Sequence, residues 1–208
     1  WIQDIIDTWA FQMMCLFNTK QTIVYNTIQM YRHDRLVFLK SCHKRAKDQG
    51  VSYGVKLVRG AYMEKERARA IEMSYLSPIQ KNKKATDDDY NKAQDFILEN
   101  IECFSLVAGT HNEESSMQLA MQIEKHQLTK DDPRIFFAQL LGMSDHISFN
   151  LSNEGFNVAK YVPFGPVKEV MPYLLRRADE NTSVAGQTGR ELGLILTEKT
   201  RRKKLKLH

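Results

Sequence analysis

Residues 53–62, YGVKLVRGAY, indicate the fold of this chain more clearly than any other stretch. Residues 53–59 combine aromatic, β-branched and aliphatic side chains, as buried strands do, and Gly60 ends the run. Further segments of the same kind are separated by stretches in which apolar residues recur with helical spacing. They are 23–28 (IVYNTI), 104–108 (FSLVA), 134–138 (RIFFA) and 158–162 (VAKYV). This alternation predicts an α/β fold in which parallel strands are joined by crossover helices.

Glycine motifs and chain length help to choose between two folds with parallel sheets. None of the ten glycines forms a GxGxxG or GxxxxGK[ST] motif, which a doubly wound nucleotide-binding sheet usually carries after its first strand. A (β/α)8 barrel typically has about 250 residues. We therefore predict about five β/α units of a TIM-type barrel, in a chain of 208 residues cut from a longer one. Residues 77–89 (SPIQKNKKATDDD) are expected to form a polar loop.

Composition and charge describe a globular body with a basic end. Hydrophobic residues make up 42% and charged residues 26%, and the mean hydropathy of -0.46 argues against a membrane span. The net charge is +5, but residues 199–208 hold six positive charges and no acidic residue, so removing those six leaves -1 for residues 1–198. We predict a barrel part at 1–198 and a basic tail at 199–208. The tail is either a solvated helix end or a contact for anionic lipid or nucleic acid, and the near-neutral body gives no reason to expect a nucleic-acid partner.

Cysteine and histidine positions give no reason to propose a metal. Cys15, Cys42 and Cys103 are far apart, and neither a CxxC nor an HEXXH motif occurs. Three scattered thiols fit a reducing compartment, so we expect an intracellular protein.

Polar residues at the ends of the predicted strands are candidate ligands. Alternation places Lys56, Val58 and Gly60 on one face of the second strand. A buried lysine is costly unless it is paired, so it indicates either an anionic ligand or an ion pair that stabilises the barrel. Gln29 offers both a donor and an acceptor to a planar heterocycle, or is an ordinary loop residue. Residues 109–112 (GTHN) are either a phosphate or ribose contact or the cap of a helix.

Residues 166–181 (PVKEVMPYLLRRADEN) predict an amphipathic helix. Its apolar residues form a continuous stripe, and the opposite face carries Tyr173, Arg176, Arg177 and Glu180. The adjacent arginines are either part of a solvated face or a clamp for a carboxylate, which guanidinium groups bind in a bidentate manner. The pattern alone leaves these two interpretations open.

Five motifs follow one another in the chain: KLVRGAY (56–62), THN (110–112), QLLGM (139–143), YVPFG (161–165) and YLLRRADEN (173–181). In this order, from about residue 17 to 181, they resemble the proline dehydrogenase family. The resemblance implies a distorted (β/α)8 barrel that binds FAD without a Rossmann fold. It implies oxidation of L-proline to pyrroline-5-carboxylate, the first step of proline catabolism, by hydride transfer from proline C5 to FAD N5.

The resemblance also implies an electron acceptor and a location. The family passes electrons to membrane quinone, so contact of the basic tail with anionic lipid is a compatible hypothesis. The protein is then expected in the cytoplasm or at the inner membrane of a bacterium, or in the mitochondrion of a eukaryote.

On the substrate side, the resemblance implies a final helix that lies across the barrel mouth. Arg176 and Arg177 match the pair that holds the proline carboxylate, and Glu180 matches the acid that pairs with them. A tyrosine at position 161 resembles members that prefer proline over hydroxyproline. The residues implied to line the ring pocket are Tyr161, Tyr173 and Leu140.

On the cofactor side, Lys56 matches a position near flavin N5 where many bacterial members have arginine and the eukaryotic branch has lysine. A cation there stabilises negative charge on reduced flavin, so Lys56 is the catalytic candidate. The other positions implied to contact FAD are Gln29, Val58, Arg59, Gly60, Ala61, Thr110 and His111.

The chain departs from the family pattern at its start. Family members carry a substrate-side lysine and a catalytic aspartate on earlier strands, and neither can be assigned here. Residues 1–17 resemble the helix that follows the strand with the aspartate, so the resemblance implies a helix there. Two alternative functions remain: a barrel lyase or aldolase that uses Lys56 as a Schiff base, and a non-catalytic module that binds anionic partners through residues 199–208.

Overall fold

The computed structural model describes residues 3–183 and 187–204, with side chains described for all of these except 176–183, 187–191 and 194. The described residues form strands and helices in alternation. The strands are β1 (Tyr25–Gln29), β2 (Tyr53–Val58), β3 (Phe104–Gly109), β4 (Ile135–Leu140) and β5 (Val158–Tyr161). The helices are α1 (Gln3–Phe17), α2 (Arg35–Gln49), α3 (Met63–Glu72), α4 (Lys83–Glu99), α5 (Glu113–Lys125), α6 (Asp145–Asn153), α7 (Val167–Ser183) and α8 (Gln187–Lys204).

The five strands form one parallel sheet in the order β1-β2-β3-β4-β5. Each strand pairs with the next one along the chain, and the order never reverses. A doubly wound sheet reverses its strand order at a switch point, whereas the wall of a (β/α)8 barrel does not. The topology of the described residues therefore follows the predicted barrel pattern.

The core lies on one face of the sheet, under the helices. Tyr53, Leu57 and Leu106 alternate towards that face and are completely buried. They pack in one cluster with residues of the helices, such as Met14 and Leu39. Full burial of side chains of this size stabilises a fold by about 1.5–3 kcal/mol each.

A buried ion pair fixes α1 and α2 at the sheet. Arg35 Nη1 lies 2.9 Å from Asp7 Oδ2, and both side chains are more than nine-tenths buried. Asn26 on β1 donates a hydrogen bond of 2.7 Å to the other carboxylate oxygen of Asp7. Because both carboxylate oxygens are satisfied, the buried charge of Asp7 is paired and hydrogen-bonded as such groups require.

The prediction of a loop over 77–89 is wrong for its second half. Helix α4 begins at Lys83, and Asn82 caps it by accepting a 2.8 Å hydrogen bond from the N–H of Ala85. The polar side chains that resemble a loop in the sequence are the exposed face of this helix. Two of its lysines pair one turn ahead, Lys83 with Asp87 at 2.6 Å and Lys84 with Asp88 at 2.7 Å.

Element ends differ from the predicted ones by a few residues. Strand β1 runs from Tyr25 to Gln29 rather than over 23–28, and β4 continues to Leu140. The helix predicted over residues 1–17 is described as Gln3–Phe17.

The chain divides into two compact units, Trp1–Tyr161 and Val162–His208. The first contains the sheet and α1–α6, and the second contains α7 and α8. Residues 199–204 of the predicted basic tail are the last turns of α8. No helix in the described ranges combines the length and the apolar character needed to cross a membrane.

Candidate functional site

Five candidate site residues of the first unit lie on the sheet face opposite the core. Register pairs Gln29 with Val58 and Leu140 with Tyr161, and alternation turns all four, with Lys56, away from the helix-covered side. We call this surface the Lys56 face. It is more exposed than the core side: Lys56 is exposed, and Tyr161 retains 49% of its accessible surface.

Lys56 points across this face towards β5. Its Nζ lies 5.6 Å from the centre of the Tyr161 ring, although β3 and β4 lie between the two strands. Neighbouring strands are about 4.8 Å apart, so this contact indicates that the sheet curves towards the Lys56 face. Gly109 on β3 lies on the same face, where an added Cβ would crowd Val58 Cγ1 at 3.0 Å.

The expectation of a buried lysine at position 56 is wrong, because this strand turns only its other face to the core. Within the described part of the chain, no carboxylate forms an ion pair with Lys56. Of the two interpretations that the sequence left open, the structure thus disfavours the internal ion pair. The ammonium group remains available to an anionic ligand.

Arg59, by contrast, is fully engaged within the protein. Its guanidinium donates hydrogen bonds to Asp87 at 2.6 Å, Thr110 at 2.7 Å and Ser115 at 2.9 Å. It also lies 4.4 Å from the centre of the Tyr90 ring. Burial alone would raise the pKa of Asp87, but the hydrogen bonds from Lys83 and Arg59 lower it, so Asp87 is held as a carboxylate. Any contact of residues 59–61 with a ligand is therefore made by the backbone turn rather than by this side chain.

The turn at residues 59–61 is fixed by a residue that the sequence did not single out. Tyr31 packs its ring where a side chain at position 60 would lie: a Cβ on Gly60 would come within 1.9 Å of the Tyr31 ring. Gly60 has a φ of +118°, a conformation that side-chain-bearing residues rarely adopt. The N–H of Tyr31 donates a 2.7 Å hydrogen bond to the carbonyl oxygen of Arg59.

The hydroxyl of Tyr31 is held in turn by Glu66 on α3. Arg32 donates a 2.8 Å hydrogen bond to the other oxygen of the same carboxylate. Burial and the Glu66 contact raise the pKa of Tyr31, so its hydroxyl keeps its proton and donates a hydrogen bond to Glu66. In the sequence this arrangement is marked by a glycine at position 60. The glycine alone does not reveal which side chain fills the space.

The residues after β3 serve as a helix cap. Asn112 accepts a 2.8 Å hydrogen bond from the N–H of Ser115 at the start of α5. Thr110 is buried and accepts hydrogen bonds from Arg59 and from the N–H of Asn112. His111 Nδ1 lies 3.0 Å from Ser144 Oγ. The cap interpretation is thus observed, and ligand contact by Thr110 and His111 stays a prediction.

The predicted substrate residues fall in both compact units. Leu140 and Tyr161 are direct neighbours at the ends of β4 and β5, where the N–H of Leu141 donates to the carbonyl oxygen of Tyr161 at 3.0 Å. Tyr173 is half-buried on α7. The remaining three predicted positions belong to the same helix, but their side chains lie outside the described residues: Arg176, Arg177 and Glu180.

Comparison with known proteins gives consistent matches. A family model described as proline dehydrogenase matches residues 1–190. The human protein named proline dehydrogenase 1, mitochondrial, is 39% identical over 205 residues, covering 97% of this chain and 34% of that protein. A Xenopus laevis protein named hydroxyproline dehydrogenase is 38% identical over 194 residues, covering 91% of this chain and 42% of that protein.

Solved structures match the fold. Proline utilization A from Bdellovibrio bacteriovorus, inactivated by N-propargylglycine, has a TM-score of 0.72 and 30% identity, covering 76% of this chain and 16% of that chain. Proteins of this kind have a TIM-barrel-type fold, so the predicted fold class is confirmed. The chain spans about a third of the length of its human relative.

Proposed function

This chain belongs to the proline dehydrogenase family, and on that premise we propose that it carries out flavin-dependent oxidation of L-proline to pyrroline-5-carboxylate. The match over residues 1–190 confirms the resemblance that the five sequence motifs indicate. The structural observation that carries the proposal is Lys56, a strand-borne cation that faces Tyr161 and has no carboxylate partner among the described residues.

Three features of the Lys56 face support the proposal that it binds the isoalloxazine of FAD. A flat heterocycle needs a surface with little side-chain bulk, and Gly109 provides this beside Lys56. The turn at Gly60 presents backbone rather than side chain, because Arg59 turns its guanidinium into the protein. Gln29, next to Val58 on this face, supplies an amide that can both donate and accept. We assign FAD contacts to Gln29, Lys56, Val58, the turn at 59–61, and the pair Thr110 and His111.

FAD, when bound, supplies the acceptor for the hydride that leaves proline C5, at its N5 atom. Lys56 stabilises the negative charge of the reduced cofactor and needs no proton transfer to do so. The chain otherwise contributes orientation, because no covalent bond between protein and substrate is required.

Arg176 and Arg177 are proposed to hold the carboxylate of proline. Adjacent guanidinium groups bind a carboxylate with several charge-assisted hydrogen bonds, and Glu180 one turn further along α7 pairs with them. Tyr161, Leu140 and Tyr173 are proposed to line the pocket for the ring.

We further propose that Tyr161 favours proline over hydroxyproline. Tyr161 is the partner of Leu140 on the neighbouring strand, and we expect its ring to occupy space that a hydroxylated substrate would need. One relative is named hydroxyproline dehydrogenase, so similarity to known proteins does not by itself decide between the two substrates. The preference for proline over hydroxyproline therefore has to be measured. Replacement of Tyr161 by serine should raise kcat/KM for hydroxyproline relative to proline, and an unchanged ratio would contradict the assignment.

Substitution of the arginines tests the carboxylate clamp. Hydrogen bonds to charged groups contribute about 1.5–3 kcal/mol, so Arg176→Met or Arg177→Met should raise the KM for proline about 10- to 150-fold while FAD stays bound. Arg202→Met, at an exposed position on α8, is the matched control and should leave the kinetics unchanged. Near-normal proline kinetics in both clamp variants would refute the assignment.

Substitution of Lys56 tests the cofactor role and the alternative chemistry. Lys56→Met should slow anaerobic reduction of the flavin by proline. Unchanged reduction would contradict the role, and borohydride trapping of a carbonyl substrate on Lys56 would instead support a Schiff-base enzyme.

We also propose that electrons pass to a membrane quinone and that α8 contacts anionic lipid. Leu192, Ile195 and Leu196 are exposed at helical spacing, and the helix ends in exposed basic residues. Part of that charge is neutralised, because Glu198 accepts hydrogen bonds from Arg201 and Arg202. Binding to vesicles that contain anionic lipid should weaken as salt is raised, and binding that ignores salt would count against the contact.

A further inference from the structure

We propose that His43, Glu102 and Cys103 form a binding site for a divalent metal ion of the zinc class. One potential ligand atom from each residue lies within 4.8 Å of the other two. The residues come from α2 and from the short turn at Ile101–Cys103 that precedes β3. No local spacing in the sequence reveals the set, so the positions of the cysteines and histidines alone do not predict a metal.

The distances are close to those of an assembled site. Around a tetrahedral zinc ion with ordinary bond lengths, neighbouring ligand atoms lie about 3.4–3.6 Å apart. Cys103 Sγ and Glu102 Oε1 are 3.8 Å apart. The third ligand atom lies within 4.8 Å of the other two, so it has to move by no more than about 1.4 Å to complete the set. A thiolate, an imidazole and a carboxylate are the three ligand types that zinc uses in proteins, and water can occupy the fourth position.

His43 supplies a second and independent observation. Its Nε2 atom is enclosed and has no hydrogen-bond partner among the described residues. The ring is held between two aromatic side chains, with centroids 5.6 Å from Phe96 and 5.7 Å from Phe104. Enclosed polar nitrogens are almost always satisfied, and a bound ion is one of the recognised explanations for an exception. We assign this nitrogen as the histidine ligand.

Binding of the ion is coupled to the loss of a proton. Zinc binds a cysteine as the thiolate, so the incoming ion displaces the proton of the Cys103 thiol, which passes to solvent.

The site lies at the amino-terminal end of β3, whereas the Lys56 face presents its candidate ligands towards the carboxyl ends of the strands. An ion there would tie α2 to the start of β3 and would take no part in chemistry at Lys56. The proposal is thus independent of the proposed function.

Metal titration of the purified protein tests the site. Zinc binding is measured by competition with a chromophoric chelator, and Co²⁺ is added to record the thiolate-to-metal absorption band in a difference spectrum. We expect one zinc ion per chain and a cobalt–thiolate band. Cys103→Ser should abolish the band and weaken zinc binding by at least about tenfold, a loss at least as large as that caused by removing an outer partner of a metal ligand.

Two further variants keep the test decisive. Cys15→Ser, another partly buried free cysteine, is the matched control and should keep both the band and the affinity. Glu102→Gln changes an exposed side chain and should keep the band but weaken zinc binding. If Cys103→Ser fails to fold, a smaller zinc-induced rise in Tm for Glu102→Gln than for the parent protein supports the site. Absence of stoichiometric zinc binding, or a band that survives in Cys103→Ser, would overturn the proposal.

Discussion

Gly60→Ala gives the sharpest test of how the backbone turn after β2 is built. The added methyl group would lie 1.9 Å from Cδ1 and 2.1 Å from Cε1 of the Tyr31 ring. Tyr31 is 3% exposed and bound by the Arg59 carbonyl and by Glu66, so its ring cannot move aside freely. Overpacking costs about 1–3 kcal/mol, and a non-glycine residue at a φ of +118° costs about 1–3 kcal/mol more. We expect the free energy of unfolding to fall by about 2–6 kcal/mol.

The assay is urea unfolding followed by far-ultraviolet circular dichroism, with the midpoint and slope compared between variants. Gly155→Ala is the matched control, because Gly155 has a φ of +90° but no atom within 4 Å of an added Cβ. Gly155→Ala introduces only the strain of a positive φ and no clash, so its free energy of unfolding should fall by at least about 1 kcal/mol less than that of Gly60→Ala. Equal losses in the two variants would show that the Tyr31 ring does not confine position 60, and the explanation of the turn would then be wrong.

Three further predictions concern stability. Asp7→Asn should destabilise the fold by about 1.5–3 kcal/mol, because the buried Arg35 would lose its charged hydrogen bond to Asp7 and keep only the more exposed Asp34, and the change is read from the urea midpoint; a loss below about 0.5 kcal/mol would refute this. Asn112→Ala should lower the free energy of unfolding by about 0.5–2 kcal/mol through loss of the α5 cap, and Asn112→Asp should retain most of it. The pKa of Asp87 is lower in the folded protein than its ordinary value. The stability that ionised Asp87 contributes is therefore present at neutral pH, and it is lost as the pH falls below about 3.9 towards the folded-state pKa. In Asp87→Asn the free energy of unfolding should fall less steeply over this acidic range, and an unchanged pH dependence would contradict the assignment.

The sequence predicts the sheet well because strand alternation is a local property. The five β-type segments, their parallel pairing and the shared face of Lys56 and Val58 all follow from period-two patterning and from the helices between strands. At residues 77–89 the polar composition wrongly predicted a loop throughout, because an exposed helix and a loop have similar compositions. The cap at Asn82 and the Lys83–Asp87 spacing were the available signals for a helix start.

The candidate site shows where sequence reasoning reaches its limit. The KLVRGAY motif contains Arg59, but only the fold shows that the Arg59 side chain donates hydrogen bonds to Asp87 and Thr110. The same holds for the contact between Tyr31 and Gly60. The two residues are 29 positions apart, and no periodicity in the sequence identifies Tyr31 as the neighbour of Gly60. Side-chain partners of this kind depend on how strands and helices are placed relative to each other, and that placement is set by the packed core.

The proposed activity requires that the protein holds FAD and reduces it with L-proline. It can be measured by anaerobic titration of the flavin-loaded protein with L-proline, followed by the visible absorbance of the flavin. We expect bleaching that saturates with proline, that needs about 10- to 150-fold more proline in Arg176→Met, and that slows in Lys56→Met. A protein that takes up no flavin, or whose flavin stays oxidised at saturating L-proline, would refute the proposed activity.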